Sequence, residues 1–435
     1  MSSRPFSFHR VRPFDVAFFV APGCVAIYVR TVKIVMVHPH DVFSSFEPWT
    51  VRIRALSREL ARIGHEVELV TFTLDGFEYP AFEQDGVRVH CFSRRVSLRG
   101  HFEKTKRFGS LFRGADVVFF QKCFHYASVP AVRAARQNGA WIHYDWDDDE
   151  TAIFFSGARG SALPVGAGMW FLERLLPSLA DSVSVASRAL YDRALCFGAR
   201  PETLFRLPVG ADPAPVRLEE VESIRRRYAL SGISQIYVGQ LHGGQYAELL
   251  LRALRELGNA GISSRTLFVG DGYDRPRLES LRDELGMRRE AIFTGAVPHE
   301  DIPAYLAACR IAVACFESNR VTRSKSPLKI AEYLASGKCI VAHAVGEVPG
   351  MLGDAGLLVE AGGPGALARA LLSLHREPGR IVDLEQRALR RAPGFAWARR
   401  AEKLDRFFRR IDTAGPRRVA SRASVAGGRA RRGTP

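Results

Sequence analysis

The sequence predicts an α/β protein of two Rossmann-like domains facing a central cleft, and three observations carry that prediction. Short apolar runs alternate with segments of helical period from about residue 32 to 396, the pattern of parallel sheets covered on both faces. At 435 residues the chain exceeds one ordinary core, and Pro213 and Pro215 interrupt the alternation near its middle. Residues 323–342, RSKSPLKIAEYLASGKCIVA, place a short helix directly before a buried strand, so the helix start lies among the loops where such sheets bind ligands. The expected organisation is an N-terminal extension, 1–31; a first domain, 32–213; a second domain, 214–396; a terminal helix, 397–412; and a basic, disordered tail, 413–435.

Within 323–342, Ser326 is the expected N-cap, Pro327 suits the first helical position and Gly337 a C-terminal stop. Leu328, Ala331, Leu334 and Ala335 recur at helical spacing and make a buried face, with Lys329 and Glu332 on another. A helix N-terminus already carries partial positive charge, so gathering Arg323, Lys325 and Lys329 around it is unfavourable unless an anion joins them. Amides of the turn opened by Ser326, Pro327 and Leu328 would hold phosphate oxygens, and the three bases would neutralise them. Glu332 would accept hydrogen bonds from hydroxyls one turn further on. That combination suits a nucleoside-diphosphate sugar, with phosphates at the helix start and ribose at the glutamate. A surface helix with solvated bases is the plainer alternative.

The first domain opens with an apolar strand at 32–39, a polar loop, HDVFSSFEPWT, and a helix over about 51–63 ending at Gly64. The loop leaves the carboxyl end of the strand, so it is expected at the cleft, where His40, Asp41 and Trp49, with His38 and Glu47 nearby, are contact candidates for a partner substrate. Loop-bracing polar groups and a packed aromatic are the plainer reading. A strand, VRVHCF, precedes the basic aromatic segment 101–113, which fits an anionic bilayer and an inward-packed amphipathic helix about equally. After the strand ADVVFFQK comes AWIHYDWDDDE, whose carboxylates repel one another and demand cations or donors. Capping of the next helix accounts for Asp148 to Glu150 but not for Asp145, which is still inside the strand, so Asp145 and Asp147 are assigned to orient a hydroxyl of the partner substrate.

The second domain repeats the pattern. ISQIYVGQLHGGQYAELLLRALREL reads as strand, glycine turn and helix, with Gly243 and Gly244 allowing close approach of backbone to a phosphate and Gln240 beside them. VGDG lacks the third glycine of a dinucleotide fingerprint.

KSPLKIAEYLASGK, followed by CIVA, a glycine and VPGML, resembles the donor segment of family 4 glycosyltransferases, the retaining enzymes of GT-B fold. The resemblance extends to the strand, loop, helix and GHEV opening, to RLPVGAD before the linker, and to Trp397 ahead of a terminal helix that in the family crosses back to the first domain. It implies glycosyl transfer with retention from a nucleotide sugar to a glycan or lipid-linked acceptor, no metal and no cofactor beyond that donor substrate. Lys329, Asp145, Asp147 and Arg323 then become the catalytic candidates. The donor-binding candidates are Gly243, Gly244, Gln240, Gly295, Val297, Lys325, Ser326, Pro327, Leu328 and Glu332, with Gly295 and Val297 assigned by position alone in TGAVP. His40, Asp41 and Trp49 become the acceptor candidates.

Three departures from the family pattern matter. Gln240 and Gln245 stand where Arg and Lys are common, and Ser324 stands eight residues before Glu332, where a sugar-binding glutamate is frequent. They keep two rivals open, a non-catalytic nucleotide-sugar-binding protein and a nucleotide-sugar epimerase of the same fold.

The formal net charge is +16, but the two ends supply +10 of it, leaving no basic reading helix and arguing against nucleic acid as a partner. Such ends are compatible with an anionic membrane surface. The cysteines are odd in number and scattered, with no C-x-x-C, which fits a reducing cytoplasm. The apolar run 16–29 is broken by Pro22 and Gly23, is too short to span a bilayer and lacks an A-x-A site, so an extension is expected and not a cleaved leader. The expected location is cytoplasmic, with peripheral attachment to the inner membrane face left open.

Overall fold

The structure, a computed structural model, describes residues 30–44, 47–95, 97–157, 163–242 and 247–411. The expectations for the N-terminal extension, the basic tail, Gly243, Gly244 and Gln245 lie outside the described residues.

The first domain holds eight strands: β1 Lys33–Val37, β2 Glu66–Thr73, β3 Tyr79–Gln84, β4 Val87–Ser93, β5 Val117–Gln121, β6 Trp141–Trp146, β7 Ser182–Val185 and β8 Leu204–Arg206, in the order β3-β4-β2-β1-β5-β6-β7-β8. Every pairing is parallel except β3 with β4. The parallel strands read as apolar runs because helices cover both faces: β1, β2 and β5 are buried along nearly their whole length. The edge strand β3, exposed throughout and containing Pro80, gave no apolar run to read. Helix Leu98–Leu111, from the basic aromatic segment, packs Phe108 inward, with Phe112 buried just beyond its end, while Phe102 stays exposed. Lys104 on the same helix donates to the Arg95 carbonyl at 3.0 Å.

The second sheet is wholly parallel: β9 Gln235–Val238, β10 Thr266–Val269, β11 Ala291–Gly295, β12 Ile311–Ala314, β13 Cys339–His343 and β14 Leu357–Val359, in the order β11-β10-β9-β12-β13-β14. Strand order reverses between β9 and β12, and in such sheets the crevice beyond that reversal is where ligands bind.

Contacts across the two domains come from the carboxyl ends of both sheets. Beyond β6, Asp149 pairs with Arg320, which opens the short helix Arg320–Ser324 after β12, at 2.7 Å. Beyond β13, Glu347 accepts from the Arg188 amide after β7 at 2.7 Å and from the Arg206 guanidinium. The two carboxyl edges therefore face one another. The terminal helix Trp397–Phe408 packs on helix Val51–Arg62 of the first domain. His65 bonds Asp405 at 2.8 Å, and Arg30 donates to the Ile411 carbonyl at 2.8 Å. Trp397 is buried against Gly210, where an added Cβ would come within 2.8 Å of the indole, so this approach needs glycine. No helix among the described residues is long and apolar enough to cross a membrane.

Candidate active site

Helix Leu328–Ala335 connects β12 to β13 and starts one residue later than its sequence implied. Pro327 is the N-cap residue, and no side chain caps the first turn. Ser326 is thus not the cap: its hydroxyl accepts from the Val209 amide at 3.1 Å and braces the interdomain connection instead. Ile330, Ala331, Tyr333, Leu334 and Ala335 are buried, with Leu328 half-buried, so the apolar face is broader than expected. Tyr333 fixes the helix to the sheet by accepting from the Val238 amide at 3.0 Å.

That anchoring carries Lys329 beneath the end of β9. Its Nζ lies 2.8 Å from where a Cβ on Gly239 would fall and 4.3 Å from the Tyr237 ring centroid. Gly239 has φ +149°, and any side chain there would meet the ammonium. Nζ is buried without a hydrogen-bond partner among the described residues. Burial, with Lys325 adding repulsion, lowers its pKa to about 8. A cation held this way, at the uncapped start of a helix, is stabilised by an anion that reaches both. Gln240 is half-buried beside Gly239, so Lys329 reaches from the helix to a loop that offers no charge of its own at 239–242.

Glu332, one turn on, is half-buried and accepts from His299 Nε2 at 2.8 Å. That bond raises the histidine pKa. Gly295 is buried at φ +81°, and Val297 packs half-buried against the core. Arg323 is exposed and donates from Nε to Ser318 Oγ at 3.0 Å, while Lys325 is half-buried near Lys329.

On the first domain's side several assignments need correction. Asp145 is fully buried and bound in two-pronged fashion by Arg52, with both contacts at 2.8 Å; Gln121 donates at 2.6 Å and Ser184 at 2.5 Å. Burial alone would raise its pKa, but Arg52 overcomes this and holds it low. With its oxygens committed to four donors, Asp145 has none to offer an acceptor, and it serves as an internal brace. His40 bonds Glu47 at 2.8 Å, and the same carboxylate takes the Asp41 amide at 2.7 Å and Arg94 at 2.6 Å. Asp41 in turn accepts from the Phe43 amide at 3.0 Å and the Leu74 amide at 3.2 Å. His40 therefore holds the loop's shape, while Asp41 braces the loop with a carboxylate that stays half-exposed. Trp49, edge-on to His40 and 41% exposed, is the most outward member of the trio.

Asp147 keeps 12% side-chain exposure and lies 3.4 Å from Lys122 Nζ. Asp148 is 3.9 Å from the same ammonium, and Glu150 is hydrogen-bonded to it. Burial alone would lower the lysine pKa, but the three carboxylates raise it, while burial pushes Glu150 up to about 7. Three carboxylate oxygens lie within 4.8 Å of one another, a spacing that suits a cation, and the Lys122 ammonium supplies one. Lys122 adopts φ +64°, a left-handed backbone uncommon for a side-chain-bearing residue, at the tip of β5. Asp149 takes the capping role, accepting from the Ala152 amide at 3.0 Å.

Arg52, Lys122 and His299 were not singled out from the sequence. Arg52 lies on an ordinary amphipathic helix with no local mark. Lys122 directly follows the apolar run VVFFQ, and a charge there at the end of a buried strand was the available signal. A cavity of about 610 Å3 within the second domain, between Leu241, Arg252, Arg277 and Glu317, includes neither Lys329 nor Glu332.

Residues 50–210 match the family profile described as a glycosyl transferase 4-like domain, and residues 233–377 match the profile of glycosyl transferases group 1. The chain is 26% identical over 220 residues to the 2-deoxystreptamine glucosyltransferase of Streptomyces kanamyceticus, covering 49% of this chain and 54% of that protein. It is 25% identical over 263 residues to D-inositol 3-phosphate glycosyltransferase 1 of Catenulispora acidiphila, covering 57% and 61%. The matches thus span about half to three fifths of these relatives' length. Among solved structures, sucrose-phosphate synthase (tll1590) from Thermosynechococcus elongatus superposes with TM-score 0.67 at 18% identity, covering 87% of this chain and 98% of that one. Anabaena Alr3699/HepE in complex with UDP and glucose gives TM-score 0.67 at 15% identity, covering 87% and 100%.

Proposed function

Because the chain has the GT-B fold and each of its two domains matches a glycosyltransferase profile, we propose that it transfers a sugar, with retention, from a nucleoside-diphosphate donor to a glycan or glycolipid acceptor. The supporting observation is Lys329, a buried, hydrogen-bond-free ammonium beneath the end of β9 and beside an uncapped helix start. The structural neighbour HepE, seen with UDP and glucose, is consistent with a donor of this class. The cell-surface glycan or glycolipid role, at the inner membrane face, rests on the family resemblance.

In this reading the donor diphosphate lies against the first turn of helix Leu328–Ala335 and the Lys329 ammonium, with its ribose at Glu332. Transfer breaks the bond between the anomeric carbon and the diphosphate oxygen, and the departing diphosphate gains negative charge. Lys329 and the first-turn amides are already oriented toward that charge, so they stabilise the transition state more than the ground state. The acceptor hydroxyl bonds to the anomeric carbon on the face the diphosphate leaves and gives up its proton to the departing diphosphate oxygen. On the acceptor side, Asp147, Asp41 and Trp49 keep their assignment, whereas Asp145 and His40 drop out.

The test is nucleotide release by Lys329→Met in a donor and acceptor screen with UDP, GDP and ADP sugars. Turnover is expected to fall at least about tenfold, the lower end for losing a charged stabiliser. Unchanged release would remove Lys329 from the mechanism, and nucleotide binding without release from any pair would favour a non-catalytic binder.

A further inference from the structure

A second cavity, of about 320 Å3, lies between the domains, bounded by Asp149 and Arg193 on one side and by Arg320, Arg323 and Ser324 on the other. Its charges do not balance internally. Asp149 accepts from both Arg193 and Arg320 while capping a helix amide. Behind it Arg174 stacks on Trp170 at 3.8 Å. Arg174 Nη1 and Arg193 Nη2 are both buried without a hydrogen bond among the described residues. The other carboxylate in reach, Glu173, lies 3.9 Å from Arg193 and has its pKa raised by burial and by Asp149. Arg174, Arg193 and Arg320 thus share two carboxylates, with Arg323 lining the same cavity, and burial together with Arg193 and Arg320 depresses the Arg174 pKa. Like charges gathered at a cleft persist where an anion joins them, and guanidinium groups bind carboxylate and phosphate in two-pronged fashion.

The cavity's place narrows the ligand. Arg320, Arg323 and Ser324 belong to the segment that runs directly into the phosphate helix, Lys325 and Pro327 being extended. Ser324 therefore lies within about 14 Å of Leu328 along even a fully stretched chain. That is the neighbourhood a sugar enters once its diphosphate is seated. We propose that this cavity receives a negatively charged sugar substituent, so that one of the two sugars meeting in the cleft is acidic. The proposal rests on the glycosyl-transfer reading. The acid belongs either to the donor, as a hexuronate carboxylate, or to the acceptor, as a carboxylate or phosphate.

Calorimetry on the full chain separates these sources. One arm compares UDP-glucose with UDP-glucuronate and GDP-mannose with GDP-mannuronate. The other titrates the UDP- or GDP-saturated protein with glucuronate, glucose 6-phosphate and glucose. Arg323→Gln is the informative variant because Arg323 is exposed and its hydrogen bond is to Ser318, whereas Arg320 also links the domains. At least about tenfold preference for the hexuronate donor, lost in Arg323→Gln, assigns the acid to the donor. Equal donor affinities with selective binding of an acidic free sugar, again lost in the variant, assign it to the acceptor. Indifference to charge in both arms, with UDP or GDP still bound, overturns the proposal alone. Failure of every nucleoside diphosphate to bind overturns the glycosyl-transfer reading and this inference with it.

Discussion

Lys122 and Lys329 are both lysines drawn into the interior at the carboxyl edge of a parallel sheet, one in each domain, and their surroundings are opposite. Around Lys122 the fold has gathered Asp147, Asp148 and Glu150, and their attraction outweighs the cost of burial. Around Lys329 there are the faces of Tyr237 and Phe316, the small Gly239 and a second lysine, and burial wins over the pull of Glu332 one turn away, lowering its pKa to about 8. The contrast separates two uses of a buried charge. A cation whose counter-charge is built into the chain supports the folded state, while one whose counter-charge must come from a ligand costs stability until that ligand binds.

The comparison breaks most readily on stability. Lys122→Met leaves three carboxylates crowded without their cation, and removing one partner of a buried ion pair costs about 3–5 kcal/mol. Chemical denaturation should register that loss. Lys329→Met removes a buried charge that has no hydrogen-bonded partner among the described residues and should leave stability unchanged or raised while activity falls at least about tenfold. Equal destabilisation by both substitutions would mean that Lys329 has a counter-charge within the protein.

What the sequence made legible divides along the same line. Local patterns sufficed for the alternating strands and helices, and the gathering of Lys325, Lys329 and Glu332 at and just before one short helix was readable because all three lie within eight residues. Partners distant in sequence were not readable. Asp145 looked available because Arg52 is 93 residues away, and His40 looked open because nothing in the pattern of the loop showed Glu47 gripping it. Ser326 before Pro327 has the composition of a cap, yet Val209, 117 residues earlier, claims its hydroxyl. Strand β3 carries polar and proline residues because it is an exposed edge, and exposure removes the apolar run that betrays a strand.

Titration sharpens the contrast next. With its pKa lowered to about 8, Lys329 is charged below pH 8 and loses its proton above it. A bound diphosphate holds that proton to higher pH, so affinity should be level below pH 8 and fall by up to about tenfold for each unit above it. Calorimetry with UDP or GDP at pH 7, 8 and 9 reads this, and Lys329→Met should flatten the profile. A decline that begins below pH 7 would point to another group.

The smallest effect concerns Glu332, which has a partner where Lys329 has none. His299 holds the carboxylate from an exposed position, its side chain 59% accessible, so the pair contributes little to stability. The bond raises the histidine pKa, so what the pair does contribute is fully present below the ordinary histidine range and is lost as pH rises through the raised value. A ribose donating to Glu332 competes with that histidine. His299→Ala should therefore tighten nucleotide binding by about two- to fivefold, the scale of an exposed ion pair, and more at pH 6 than at pH 8 because the charged imidazole is the stronger competitor. Weaker binding by His299→Ala at both pH values would show instead that the histidine aims the carboxylate at the ribose, making Glu332 a prepared site with its counter-charge already in place, closer in kind to Lys122 than to Lys329.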